Sequence, residues 1–157
     1  MLRSIFEITY LLLLVYICKL YYTLIINVIK LRRQNKIRIG SKGIVLERAI
    51  RAHANFCETV PIILLLSFIL YFNNLLFFAV PMIIFLAIGR TLHSKAISNK
   101  NENLDDRRKG MKLTFLSLIT GVTGVIYYII TLIYFSALTY INTTLLPQLI
   151  NLTSYFS

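Results

Sequence analysis

Residues 47–72 read ERAIRAHANFCETVPIILLLSFILYF, a polar first half that leads without a break into an apolar second half. At about 100° per residue in a helix, five polar side chains share one arc of roughly 100°: Glu47, Arg48, Arg51, Asn55 and Glu58. His53 points away from this stripe. A rise of about 1.5 Å per residue puts Glu58 about 16 Å beyond Glu47, which is deep for an ionisable group. The segment predicts a transmembrane helix with a polar stripe at one end.

The remainder of the chain contains three more apolar segments of spanning length. A bilayer core about 30 Å thick requires about 20 apolar residues as helix. With 157 residues, 57% of them hydrophobic, the chain holds four such spans and no second domain. We predict an all-α integral membrane protein, a four-transmembrane-helix bundle in one domain over 1–157, with helices at about 5–29, 47–72, 75–97 and 109–138 and an interfacial tail at 139–157.

Smaller signals mark the ends and contacts of these helices. The glycines of segment 40–43 indicate a loop between the first two spans. Either Asp105 or Asp106 is expected to cap the last helix at its N-terminus. Gly121 and Gly124 form a small-residue patch that favours close contact with another helix.

Basic residues are confined to one side of the predicted topology. Six lie between Lys30 and Lys42 and seven more between Arg90 and Lys112, whereas residues 113–157 contain no Asp, Glu, Lys, Arg or His. This is the positive-inside pattern, which predicts cytoplasmic basic loops in a bacterial inner membrane or an endoplasmic reticulum. It accounts for the net charge of +11 without a nucleic-acid partner. The cysteines at 18 and 57 fall within apolar segments and imply neither a disulfide nor a metal site.

The candidate site combines the stripe with basic residues of the later spans. Arg90 and His93 share one helix face at the cytoplasmic end of span three. His93 is read equally well as a ligand contact or as a hydrogen-bonded interfacial residue. A buried pair of Glu58 with Arg51 or Arg90 would serve only to register the helices. However, one glutamate cannot neutralise Arg51, Arg90 and Arg107 together, so an anionic partner is expected.

Four sequence motifs resemble the MAPEG family, the membrane-associated proteins in eicosanoid and glutathione metabolism, and the match is closest to its bacterial-type members. The resemblance covers all four spans, from about Lys19 to Thr120. They are Glu47-Arg48-x-x-Arg51-Ala52-His53-x-Asn55-x-x-Glu58-Thr59, Gly89-Arg90-x-x-His93, Arg107 three residues before Gly110, and Lys30-Leu31-Arg32-Arg33.

The resemblance implies a homotrimer that binds glutathione between protomers near the cytosolic face. In that arrangement Arg107 would stabilise the glutathione thiolate, with Arg108 as the alternative if the register slips by one. The other implied contacts with glutathione are Arg51, Asn55 and Glu58 at its ends, Arg90 and His93 along the site, and Arg32 or Arg33 from span one.

The implied activity is that of a glutathione transferase or peroxidase on a lipophilic small molecule that arrives through the membrane lipid. Thr59, Ile97 and Met111 stand where many members have tyrosines, which argues against a dedicated prostaglandin or leukotriene synthase. The alternative is a non-catalytic lipid-binding scaffold of the same family. That branch lacks the residues equivalent to Arg51 and Glu58. A transporter using Glu58 as a proton relay is less well supported, because no inverted repeat is visible.

Overall fold

The computed structural model describes residues 1–99 and 103–148, and within them the chain is helical, with no strand. The four principal helices are α1 (Leu2–Gln34), α2 (Ile44–Phe72), α3 (Leu76–Ser98) and α4 (Leu104–Tyr140). All four are long and apolar enough to cross a membrane. The prediction of an all-α, four-span membrane protein is confirmed.

Both α1 and α2 extend beyond their predicted bounds. α1 runs to Gln34 rather than to residue 29, and Arg32 and Arg33 occupy its last turn, where cations complement the helix dipole. α2 begins at Ile44 rather than at residue 47, because the helix starts directly after its N-cap Gly43 and includes the apolar residues 44–46. For α1 the prediction followed hydropathy, which marks the apolar span and not the whole helix.

The N-terminus of α4 corrects the predicted cap. Neither Asp105 nor Asp106 is the N-cap: Asn103 is, and its Oδ1 accepts from the backbone N–H groups of both aspartates, at 3.0 and 3.4 Å. The aspartates occupy the first turn instead, where their charge favours the helix dipole. This cap starts α4 at Leu104 rather than at residue 109.

The C-terminal end of α4 continues into the predicted tail. A π-helical turn at Ile141–Leu145 follows Tyr140, and helical residues extend to Gln148. Residues 139–148 therefore continue α4 directly instead of forming a separate segment. The rest of that tail, 149–157, lies outside the described residues.

The loops lie at two opposite ends of the bundle, as the charge pattern predicts. At one end the loop between α1 and α2 contains Gly40 and Gly43, with φ of 82° and 79°, values that glycine adopts without strain. At the opposite end Arg3 Nη2 donates to Asn74 Oδ1 at 2.7 Å, which joins the start of α1 to the turn between α2 and α3. Both basic connections consequently lie at the same end of the bundle.

α3 is the central helix, packed against α1, α2 and α4. Its closest approach is to α4 at Gly89 and Gly110: a Cβ on Gly110 would lie 2.6 Å from the His93 backbone nitrogen and 2.8 Å from the Gly89 carbonyl oxygen. Further along, Gly121 lies against Met82. The close contact predicted for the Gly121 patch is present. The contact at Gly89 and Gly110 brings the start of α4 against the polar end of α3.

Candidate functional site

Arg90 of α3 carries a guanidinium that is buried inside the bundle, with the residue only 1% exposed. Its Nη1 donates to the Asn55 carbonyl oxygen at 3.0 Å and to Thr59 Oγ1 at 2.7 Å. Nε and Nη2 are also buried, and within residues 1–99 and 103–148 they have no hydrogen-bond partner. A buried cation with unused donors costs free energy unless an anion compensates it. This arrangement favours an anion close to α2 and α3.

A helix-registering ion pair does not supply that anion. Arg51 and Glu58 are both exposed on α2. Within the part of the chain that the structure describes, Glu58 pairs with neither Arg51 nor Arg90. The charges of Arg51 and Glu58 therefore remain available to a ligand or to another subunit.

A cleft of about 290 Å³ opens beside the first turns of α2, and we call it the α2–α4 cleft. Asn55 contributes one wall, and its Nδ2 donates to the Arg51 carbonyl oxygen at 3.1 Å. Glu58 lies outside this cleft, about 10 Å further along α2 than Arg51. The lining residues are Ile44, Glu47, Arg48, Arg51, Asn55, Ile97 and Arg107.

Arg48, which belongs to the stripe and lines this cleft, connects α2 to α3. Its Nη1 donates to the carbonyl oxygens of Ile97 and Asn99 at 3.2 and 3.0 Å. These are carbonyl groups at the C-terminal end of α3, where helical acceptors lack intrahelical partners and a cation also favours the dipole. Arg48 thereby holds the start of α2 against the end of α3.

Of the two adjacent arginines at the start of α4, one lies at the α2–α4 cleft. Arg107 lines the cleft, whereas Arg108 lies 3.7 Å from Asp105 in an exposed ion pair. His93, which is 2% exposed, donates from Nδ1 to the Arg107 carbonyl oxygen at 3.2 Å. It does not line the cleft, and its hydrogen bond joins α3 to the backbone of α4. Its contact fixes the backbone from which Arg107 extends.

The basic exit of α1 reaches the same end through Arg32. Arg32 lines a second cleft of about 240 Å³, the α1–α2 cleft, together with Arg51 and Glu47. Its Nη1 donates to the Arg38 carbonyl oxygen and so also holds the loop. Arg33 is exposed and lines neither cleft. Because Arg51 and Glu47 line both clefts, the two open on either side of the same helix end.

Sequence reasoning missed the role of Thr59. Its hydroxyl accepts from Arg90 and donates to the Asn55 carbonyl oxygen at 2.8 Å. The i, i+4 spacing of Asn55 and Thr59 permitted the second bond, but nothing in the sequence indicated the first. Glu47 was recognised as part of the stripe, but not as the acidic residue that lines the clefts.

Electrostatically, the α2–α4 cleft is suited to a small zwitterion with excess negative charge. Arg51 and Arg107 offer guanidinium groups that attract anionic groups, and Glu47 adds one carboxylate to the lining. Arg90 adds a further buried positive charge behind Asn55.

A comparison with known protein families agrees with this fold. A family model described as the MAPEG family matches residues 10–127, more than half of the chain, including the stripe of α2, Arg90, His93 and the start of α4. Neither the curated proteins nor the solved structures that were compared with the chain gave a match. The chain therefore belongs to the MAPEG family of four-helix membrane proteins.

Proposed function

We propose that this protein is a glutathione-binding membrane enzyme, a glutathione transferase or peroxidase that acts on lipophilic electrophiles reaching it from the bilayer. Membership in the MAPEG family supports a glutathione-related function in a membrane. The observation that carries the proposal is the buried Arg90 guanidinium, with two nitrogens unpartnered among the described residues, in contact with the Asn55 backbone at an arginine-lined cleft.

The residues present fit glutathione, which has two carboxylates, one ammonium and one thiol. Arg51 and Asn55 would hold one carboxylate end, and the field of Arg90 favours negative charge beside them. Glu58, further along the same face of α2, would bind the ammonium. The cleft within one protomer is at the small end of the range for ligand pockets. A neighbouring protomer would complete it.

Glutathione supplies the nucleophilic sulfur, and Arg107 is the residue that we assign to its thiolate. Lowering a thiol pKa from about 8.5 to about 7 takes roughly 2 kcal/mol and raises the thiolate fraction at neutral pH from a few per cent to about half. An arginine about 4 Å away at an effective dielectric near 20 offers about 4 kcal/mol before desolvation. One arginine is sufficient for this shift, so no additional base is required.

A homotrimer is part of the proposal, and the exposed charges of α2 support it. Glu58 and Arg51 face outward from the protomer on a helix that is apolar enough to span a membrane. Ionisable groups facing lipid are costly and normally contact protein or a water-filled cavity. Packing against a second copy would remove Glu58 from contact with lipid. Chemical crosslinking in detergent should give a ladder of bands that ends at the trimer. A ladder that ends at the dimer would contradict the proposed trimer.

Binding is tested by titrating the detergent-solubilised protein with glutathione while its thermal unfolding is followed. We expect saturable stabilisation that Arg51→Ala and Glu58→Gln each weaken. Lys42→Ala and Asp105→Asn are the matched controls, because they change exposed charges outside both clefts. The proposal fails if glutathione does not stabilise the parent, or if the site variants titrate like the controls.

Turnover is tested with chlorodinitrobenzene for the transferase activity and with a fatty-acid hydroperoxide for the peroxidase activity. In the first reaction the sulfur displaces chloride from the ring. In the second, two glutathione molecules reduce the hydroperoxide to an alcohol and water and become a disulfide. Saturable binding without turnover of either substrate would support the non-catalytic scaffold and reject the enzyme.

A further inference from the structure

The edge of the bundle between α1 and α3 carries a second polar site that the proposed function does not use. A cleft of about 490 Å³ opens there at the basic end, lined from both helices. Lys30 of α1 and Lys95 of α3 stand at its mouth, and both are exposed. Neither lysine pairs with a carboxylate among the described residues. This cleft shares no lining residue with the α2–α4 or the α1–α2 cleft.

Two further polar side chains line this cleft, each one helical turn from one of its lysines. Asn27 lies one helical turn below Lys30 and is exposed, and its side-chain amide makes no hydrogen bond within residues 1–99 and 103–148. Ser98 lies one turn beyond Lys95 on the wall of α3. Two ammonium groups, an amide and a hydroxyl are the donors that a phosphate group requires.

Further towards the membrane centre, the surface between α1 and α3 becomes apolar. Leu20 and Leu24 form part of the cleft wall on α1. A second depression of about 310 Å³ continues along the same flank, lined by Leu13, Tyr16, Ala87, Ile88, Thr91 and Leu92. Its two hydroxyl groups are satisfied, since Tyr16 donates to Thr91 at 2.7 Å and Thr91 donates to the Ala87 carbonyl oxygen. We call the cleft and this depression together the α1–α3 groove.

The dimensions of the groove match one leaflet of a bilayer. One leaflet has a hydrocarbon thickness of about 15 Å, half of the core. At about 1.5 Å per residue, Ile88 lies about 10 Å and Leu20 about 15 Å towards the membrane centre from the lysine on the same helix. A free anion would occupy only the mouth of the groove, whereas a phospholipid would fill its polar and apolar parts together.

We propose that the α1–α3 groove binds an anionic glycerophospholipid from the leaflet at the basic end, with its phosphate between Lys30 and Lys95 and an acyl chain along Leu20, Leu24 and Ile88. The two lysines are complementary to the headgroup charge, and the amide of Asn27 binds the phosphate or the glycerol ester. The site goes beyond the proposed function, because it lies on a different edge of the bundle from the arginine-lined clefts.

The test is native mass spectrometry of the detergent-solubilised full chain titrated with phosphatidylglycerol or with phosphatidylcholine of the same acyl chains. The parent should retain phosphatidylglycerol preferentially. The double variant Lys30→Gln/Lys95→Gln should bind phosphatidylglycerol about 25-fold more weakly than the parent. This is the loss of affinity expected when two lysines no longer attract an anionic headgroup at a membrane surface. Its thermal unfolding midpoint in lipid-free detergent should equal that of the parent, which shows that the variant is folded.

Two further sets of variants distinguish the contribution of the headgroup contacts from those of the acyl-chain contacts and of the overall positive charge. Ile88→Trp should weaken binding of both lipids by filling the groove. Ile129→Trp on α4, with the same 48% exposure, is its control. Lys42→Gln/Lys112→Gln removes equal charge outside the groove and should leave lipid binding unchanged.

Three results would overturn the proposal. In the first, the Lys42/Lys112 control loses phosphatidylglycerol as strongly as the groove variant does. In the second, inorganic phosphate displaces the lipid at concentrations that leave other salts without effect, which identifies a free-anion site. In the third, the groove variants change the oligomeric state, which assigns this flank to a contact between copies of the chain.

Discussion

At the scale of single residues, Arg90 shows how the bundle accommodates a charge in its interior. Nη1 has two acceptors on α2, and the remaining guanidinium nitrogens are left without acceptors in the described part of the chain. A structural arginine would be expected to satisfy all of its donors, because unpaired buried donors are destabilising. Arg48 differs from Arg90 in its role, because its Nη1 donates to carbonyl oxygens at the C-terminal end of α3.

Thr59→Val tests the anchor of Arg90. Valine has nearly the same shape but cannot accept from Nη1, so the guanidinium would retain only the Asn55 carbonyl oxygen. Loss of a hydrogen bond to a charged group should lower the free energy of unfolding by about 1.5–3 kcal/mol and weaken glutathione binding. Thermal unfolding and glutathione titration measure both effects. Thr59→Ser restores the acceptor and should behave like the parent; if serine and valine are equally impaired, the hydrogen bond is not the cause.

Arg107→Ala tests the residue assigned to the thiolate, with Arg108→Ala as the matched control. Loss of Arg107 should raise the pKa of bound glutathione towards its free value, so turnover at neutral pH should fall about 15-fold. The acidic limb of the pH–rate profile should move to higher pH, because the thiolate then forms only at higher pH. Stopped-flow turnover from acid to alkaline pH measures this shift. An unchanged profile for Arg107→Ala, with a shifted one for Arg108→Ala, would transfer the role to Arg108.

At the scale of the helices, the contact between α3 and α4 positions the catalytic candidate. Gly89 and Gly110 let the two backbones approach closely, and His93 then reaches the Arg107 carbonyl oxygen. Ser117 adds a bond from Oγ to the Met82 carbonyl oxygen at 2.7 Å. In a membrane, where apolar burial adds little, such close contacts and hydrogen bonds are the main source of helix association.

Gly110→Ala should destabilise this contact despite the higher helix propensity of alanine. The new Cβ would lie 2.6 Å from the His93 backbone nitrogen and 2.8 Å from the Gly89 carbonyl oxygen, and backbone atoms cannot rotate away. We expect a net loss of about 1–2 kcal/mol, with overpacking outweighing a propensity gain of up to about 1 kcal/mol. Thermal unfolding in detergent measures it, with the exposed Thr123→Ala as control. A stability equal to that of the parent would mean that α3 and α4 are not in close contact.

At the scale of the whole molecule, all the basic clefts open at one end of the bundle, and we propose that this end is cytoplasmic. The ends of α1 and α3 and the starts of α2 and α4 meet there, and together with the two loops between them they carry most of the positive charge. A ligand of the cytosol would reach the α2–α4 cleft directly from water. A lipophilic substrate would arrive laterally from the bilayer.

Labelling of single cysteines in oriented membranes tests this orientation. In a chain with Cys18→Ser and Cys57→Ser, we expect Ser41→Cys to react with a membrane-impermeant maleimide from the cytoplasmic side only. Asn74→Cys, in the turn at the opposite end, should react from the other side only. Retained stabilisation by glutathione shows that each variant is folded. The reverse pattern of labelling would invert the proposed topology.

The partition of the chain into four membrane-spanning helices was predictable from the sequence alone. Span length and hydropathy are local properties, and they hold whichever helices pack together. The polar stripe was predictable for the same reason: the relative directions of Arg51, Asn55 and Glu58 follow from the helical period. These signals located both the fold and one face of the site. They placed helix ends less well, because caps such as Asn103 depend on turn geometry.

Tertiary packing alone decided what each charged side chain does. The same stripe supplies Arg48 as a cap for α3, Arg51 as a cleft wall and Glu58 as an exposed charge. The contact of α4 with α3 turned Arg107 rather than Arg108 towards the cleft and made His93 its backbone support. The link from Arg90 to Thr59 joins residues of different helices, so no periodicity could reveal it. A hydrogen bond between helices depends on their separation and rotation, which the helical period of either one does not encode.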